Sequence, residues 1–77
     1  MKEIFERIQQ IVAMQFEIQP QTVYLESHLL KDLGGDSIDL IMIIVEIENT
    51  YGVVIDEETL SELTTPTQII QAIHEWI

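Results

Sequence analysis

Cysteine is absent from this 77-residue chain, which excludes disulfides, thiolate catalysis and cysteine-ligated zinc. Positive charge is nearly absent too: three Lys and Arg stand against fourteen Asp and Glu, for a formal net charge of −11. The three bases, Lys2, Arg7 and Lys31, all precede Ser37. A nucleic-acid partner is therefore not expected, because phosphate contacts need clustered Lys and Arg. No apolar run approaches the roughly 18 to 20 residues of a membrane span. The segment Met1-Lys2-Glu3-Ile4-Phe5-Glu6-Arg7 alternates charged and apolar residues and does not read as a signal peptide. The expectation is a soluble cytoplasmic protein.

The length allows one domain, residues 1–77, with one core and no deep enclosed active site. A chain this short buries only about 60% of the surface its unfolded form exposes, so its stability margin is thin. The acidity points to protein partners with basic surfaces, met at rates raised by electrostatic steering. The plainer reading is that the charge only keeps the domain soluble.

Residues 2–16 place Ile4, Ile8, Ile11 and Val12 at helical spacing, with Phe5 and Phe16 at the edge of the stripe. Pro20 ends any continuation. Residues 19–35 show no clean period, and Val23, Leu25, Leu29, Leu30 and Leu33 suggest a loop packed over the core. A structureless loop of that length needs a functional reason, and this one leads to Ser37.

From Asp36 to Tyr51 the chain is nearly continuously apolar, with Ile38, Leu40, Ile41, Met42, Ile43, Ile44, Val45 and Ile47. Length and the Gly52 stop decide for a helix over a strand. Asp36 can cap it, with Asp39 in the favourable first turn. At about 100° per residue, Leu40, Ile43, Ile44, Ile47 and Tyr51 share one face, while Ile38, Ile41, Met42 and Val45 fall opposite. A helix apolar on two sides must be buried on both or must bind something. Asp39, Glu46 and Glu48 border the second stripe, which reads as a protein-docking surface; self-association through it is the rival.

Val53-Val54-Ile55 reads as a short extended stretch, and Asp56-Glu57-Glu58 as the start of a short helix running to about Leu63. Thr65-Pro66 starts a last helix to about Trp76, with Ile69, Ile70, Ile73, Trp76 and Ile77 at core spacing. The class is all-α: three principal helices, one short third helix and a long loop between the first two.

Ser37 stands at the start of the second helix. Gly34 and Gly35 before it let a partner approach closely, Asp36 and Asp39 flank it and could hold a cation or a basic group, and free N–H groups favour a phosphate there. Gly34-Gly35-Asp36-Ser37-Ile38 is similar to the nucleophile block of Gly-Asp-Ser-Leu hydrolases, with His28 and His74 as possible bases. Those enzymes are considerably larger, and no partner block containing their histidine is present. Asp56-Glu57-Glu58 with Glu62 lacks the alternating ligands and central glycine of a calcium loop, so no metal site is expected.

The longer string Asp32-Leu33-Gly34-Gly35-Asp36-Ser37-Ile38-Asp39-Leu40 resembles the prosthetic-group attachment site of acyl carrier proteins. The resemblance extends over essentially the whole chain, through Glu46 to Gly52 and Thr64-Thr65-Pro66-Thr67. It implies a small four-helix bundle in which Ser37 receives 4'-phosphopantetheine from coenzyme A through a magnesium-dependent phosphopantetheinyl transferase. The arm's thiol would carry acyl groups as thioesters, and the protein, a monomer without catalytic activity, would deliver them to synthase or acyl-transfer enzymes. Docking would fall to Asp36, Ile38, Asp39, Ile41, Met42, Val45, Glu46 and Glu48. Leu40, Ile43, Ile44, Ile55 and Ile69 would either shelter an acyl chain or simply pack.

The string also departs from the family. Gly35 stands where alanine is common and should loosen the loop; Met42, Asn49 and Thr50 replace residues that are usually acidic. This leaves fatty acid synthesis open beside a dedicated pathway such as a polyketide or aminoacyl carrier. An unmodified carrier-like adaptor is a third reading, against which the intact Gly-Asp-Ser speaks.

Overall fold

The structure is a computed structural model, and it describes residues 2–76. The expected core residue Ile77 lies outside the described residues, as does the side chain of Trp76. Among those described, the order is α1 (Lys2–Phe16), one 3-10 turn (Pro20–Thr22), α2 (Ser37–Tyr51), α3 (Glu57–Leu60) and α4 (Pro66–Trp76), with no strand.

The first helix buries Ile8, Val12 and Ala13. It stops before Pro20 is reached: Glu17 takes a left-handed φ of 56°, and the Ile18 N–H donates back to the Ala13 carbonyl at 3.0 Å. That is the closing geometry of a helix end usually built on glycine. In α2, Leu40, Ile43, Ile44 and Ile47 are buried, as the angular plot requires, and Tyr51 is half-buried. These side chains meet Ile8 and Val12 of α1, Ile69 and Ile73 of α4, and Ile55 in one cluster.

The long loop has more order than its sequence shows. Val23 and Leu29 are fully buried pegs. The Ser27 hydroxyl accepts from the Tyr24 N–H at 2.9 Å, and His28 Nδ1 accepts from the N–H groups of Leu30 and Lys31 at 3.2 and 3.0 Å. The loop is latched to the start of α4: Leu29 N–H donates to the Thr64 carbonyl at 2.8 Å, and Thr67 Oγ1 donates to the Leu25 carbonyl at 2.9 Å. Thr65 and Gln68 form reciprocal caps there, with Pro66 as first helical residue.

The third helix is shorter than expected. It ends at Leu60 rather than near Leu63, because the Glu62 and Leu63 N–H groups bond three residues back, to Thr59 and Leu60. The chain tightens into 3-10 turns and brings Leu63 into the core. Asp56 precedes α3 without a capping bond from its side chain.

Candidate functional site

The start of α2 is built by two acids. Asp36, extended at φ −119° and ψ −176°, is the cap. Its Oδ1 accepts from the Asp39 N–H at 3.0 Å, and Asp39 Oδ2 accepts from the Asp36 N–H at 3.1 Å. This reciprocal box satisfies two backbone donors and leaves Asp36 Oδ2 outside it. Ser37, the first helical residue, is exposed and is not needed as a cap. The first bond of the helix runs from the Leu40 N–H to the Asp36 carbonyl, so the N–H groups of Ser37 and Ile38 have no acceptor within their own helix.

Two glycines shape the approach. Gly34 has a φ of 72°, a left-handed turn that a side chain would strain. Gly35 is half-buried, and a Cβ there would lie 2.6 Å from Phe16 Cζ and 2.9 Å from the Leu29 carbonyl oxygen. The absence of a side chain at Gly35 thus admits the Phe16 ring at the end of α1, where the sequence had suggested only a looser loop.

A residue that sequence reasoning missed completes the site. Gln15, on α1, donates from Nε2 to Asp39 Oδ1 at 2.8 Å. The Gln15 amide first, and then the Asp36 N–H, hold the Asp39 carboxyl below its ordinary value near 3.8 against the smaller effect of burial. Gln15 Nε2 also lies 3.8 Å from Met42 Sδ. No periodicity or motif marks Gln15, because its partner is 24 residues away.

On the outer side of α2, Ile38 is 65% exposed, Met42 53%, and Ile41 and Val45 45% each. Asp36 and Glu46 are exposed. Glu48 is turned to a local task, accepting the Ile55 N–H on Oε2 at 2.8 Å. Beside Met42 an open groove of about 370 Å³ runs between α1 and α2, walled by Ile11, Met14, Met42 and Ile43, with Arg7 and Glu46 on its lining. The residues named as a possible acyl shelter, Leu40, Ile43, Ile44, Ile55 and Ile69, are core residues, each no more than 5% exposed. His28 is occupied in its loop turn, and His74 lies exposed in the last turn of α4. Among the described residues no group of three acids or histidines is placed to hold a metal ion. No described helix is long and apolar enough to cross a membrane.

The site has what a phosphodiester-linked group requires: an exposed hydroxyl, unpaired helix-start N–H groups beside it, and little side-chain bulk in front. Residues 6–73 match the phosphopantetheine attachment site family. An acyl carrier protein of Phaeodactylum tricornutum is 36% identical over 70 residues, covering 91% of this chain and 92% of the relative. One from Phytoplasma mali is 35% identical over 74 residues, covering 96% and 88%. One from Thermotoga maritima is 30% identical over 74 residues, covering 96% and 91%. The exposed serine at a capped helix start, set in an all-helical bundle and matched along nearly its whole length, places this chain in the acyl carrier protein family, whose prosthetic group is covalent 4'-phosphopantetheine.

Proposed function

We propose that Ser37 is the attachment point of the 4'-phosphopantetheine arm, and that the protein is a non-catalytic single-domain carrier working in the cytoplasm. The observation that carries this reading is the exposed Ser37 hydroxyl at the first position of α2, with the cap supplied by Asp36 instead. In loading, the Ser37 Oγ–phosphorus bond forms as the pyrophosphate bond of coenzyme A breaks. Adenosine 3',5'-bisphosphate leaves, and the hydroxyl proton passes to solvent. Once attached, the arm supplies a thiol that holds acyl groups as thioesters and presents them at high effective concentration to a docked enzyme.

The chain's own residues prepare that step. The N–H groups of Ser37 and Ile38 offset the new phosphate's charge, and the positive end of the α2 dipole adds to them. Asp36, with one carboxylate oxygen outside the capping box, is the acid free to meet a basic side chain of the transferase.

The docking surface is the exposed stripe of Ile38, Ile41, Met42 and Val45, continued by Met14, which is 82% exposed. Glu46 and Asp36 supply its accessible charge, while Asp39 and Glu48 are bonded within the protein. A surface so apolar and so lightly charged supports a dedicated acyl, polyketide or aminoacyl pathway over service to a general fatty acid synthase. The test of attachment is intact mass before and after incubation with coenzyme A, magnesium and a broad-specificity phosphopantetheinyl transferase. Wild type gains one phosphopantetheinyl group and Ser37→Ala gains none; a gain on both, or on neither, overturns the assignment of Ser37.

A further inference from the structure

We infer that Gln15 is a positioning residue for the loading of Ser37, acting from α1 through the Asp39 carboxylate. The inference rests on the attachment of the arm at Ser37. Its physical basis is a chain of three hydrogen bonds. Gln15 Nε2 donates to Asp39 Oδ1 at 2.8 Å, Asp39 Oδ2 accepts from the Asp36 N–H at 3.1 Å, and Asp36 Oδ1 accepts from the Asp39 N–H at 3.0 Å. Asp36 immediately precedes Ser37, so the orientation of the peptide entering Ser37 depends on the Asp39 rotamer. The Asp39 rotamer in turn depends on an amide donor from another helix.

The arrangement answers an electrostatic problem at the site. The capping box gathers two carboxylates at the start of α2, where incoming coenzyme A brings further negative charge. A carboxylate in such a place keeps its charge more readily when a hydrogen-bond donor is committed to it. The Gln15 amide is a neutral donor that stabilises the ionised form of Asp39 without neutralising the acidic surface that basic partners would recognise. It also commits both Asp39 oxygens to the protein, so that Asp36 alone presents a free carboxylate oxygen beside Ser37. One acid is structural and the other is presented to the partner, and Gln15 makes the division.

Gln15 itself does not touch the hydroxyl, so its effect belongs in the orientation of the serine. Misplacement of a reacting group lowers turnover even when docking is unchanged. A residue of the docking surface would instead raise KM.

The test uses full-length protein with Gln15→Met, which keeps the length and helix propensity of the side chain but removes the donor, and Gln15→Lys, which restores one. Loading is followed as kcat and KM with coenzyme A, magnesium and a broad-specificity transferase, with thermal unfolding as a control. The Asp39 carboxyl is titrated separately by NMR. The expected result for Gln15→Met is kcat lowered roughly three- to tenfold with KM within about twofold of wild type. Its Asp39 titration moves up toward the ordinary carboxylate value, and Gln15→Lys recovers most of kcat. An unchanged kcat, a rise in KM alone, an unmoved Asp39 titration, or failure of the lysine to restore turnover would each overturn the inference. Wild type that gains no mass would remove the Ser37 assignment and this inference with it. Wild type that loads normally, with an insensitive Gln15→Met, removes the inference alone.

Discussion

The Phe16 ring fills the space above Gly35: a Cβ there would come within 2.6 Å of Phe16 Cζ and 2.8 Å of Phe16 Cε1. Glycine at this place is a packing requirement set by the end of α1 together with the Leu29 carbonyl oxygen, 2.9 Å from the same Cβ. The turn before Ser37 is also tied within the long loop, its Gly35 N–H bonded to the Leu29 carbonyl at 3.2 Å. Gly35→Ala should destabilise the fold by about 1 to 3 kcal/mol through overpacking. Urea unfolding measures it, and adding Phe16→Leu should recover part of the loss. Full additivity of the two changes would mean the ring is not what the alanine meets.

Glu17 bears a different strain. Its left-handed φ of 56° closes α1 where a glycine would do so at no steric cost. Glu17→Gly should stabilise the protein by about 0.5 to 1 kcal/mol, the relief of the left-handed conformation less the added freedom of the unfolded chain. A lower melting temperature in this variant would show that the glutamate side chain compensates for its backbone.

Ser37→Ala should fold with stability within about 0.5 kcal/mol of wild type, because Asp36 supplies the cap and the serine is exposed. Asp36→Ala should cost about 1 kcal/mol, the usual value of a lost helix cap. Reversed magnitudes would transfer the capping role to the serine.

The Asp39 carboxyl has a lower pKa in the folded protein than its ordinary value of 3.8. A depressed carboxyl contributes stability that is present above the unfolded value and lost as pH falls through the folded one. The stability difference between wild type and Asp39→Asn should therefore shrink on acidification below about pH 4. A difference that stays constant or grows there would remove the ionised capping box as its source. Taking the difference between the two proteins cancels most of the relief of self-repulsion that acid brings to so negative a chain.

Met42→Lys tests the outer face of α2. The side chain is 53% exposed, so the fold should tolerate the change, while affinity for a cognate acyl-transfer enzyme should fall about tenfold. Unchanged affinity would remove this face from the docking surface.

Much of this was legible in the sequence, for identifiable reasons. Asp36 and Gly52 punctuate α2 strongly enough to override its β-branched composition, and the 100° arithmetic separated Ile43, Ile44 and Ile47 from Ile41, Met42 and Val45 because helix geometry is nearly rigid. The acyl-carrier reading followed from the string around Ser37. The order of the long loop was not legible, since Leu25 finds its partner Thr67 at a separation of 42 residues. Gln15 was hidden for the same reason, as a polar residue whose meaning appears only when α1 lies beside α2. Glu48 was read as rim charge because sequence alone cannot show the Ile55 N–H that it accepts.

The latch between the long loop and the start of α4 also bears on the order of events during synthesis. Leu25 and Leu29 are translated well before Thr64 and Thr67, so the loop leading to Ser37 cannot take its final form while those later residues are still inside the ribosome. Ser37 can emerge and its helix can begin to form, but the backbone before it is fastened only when the start of α4 arrives. The segment that presents Ser37 is thus finished by residues that follow it in the chain, and its final backbone geometry is a property of the assembled fold and not of the local sequence.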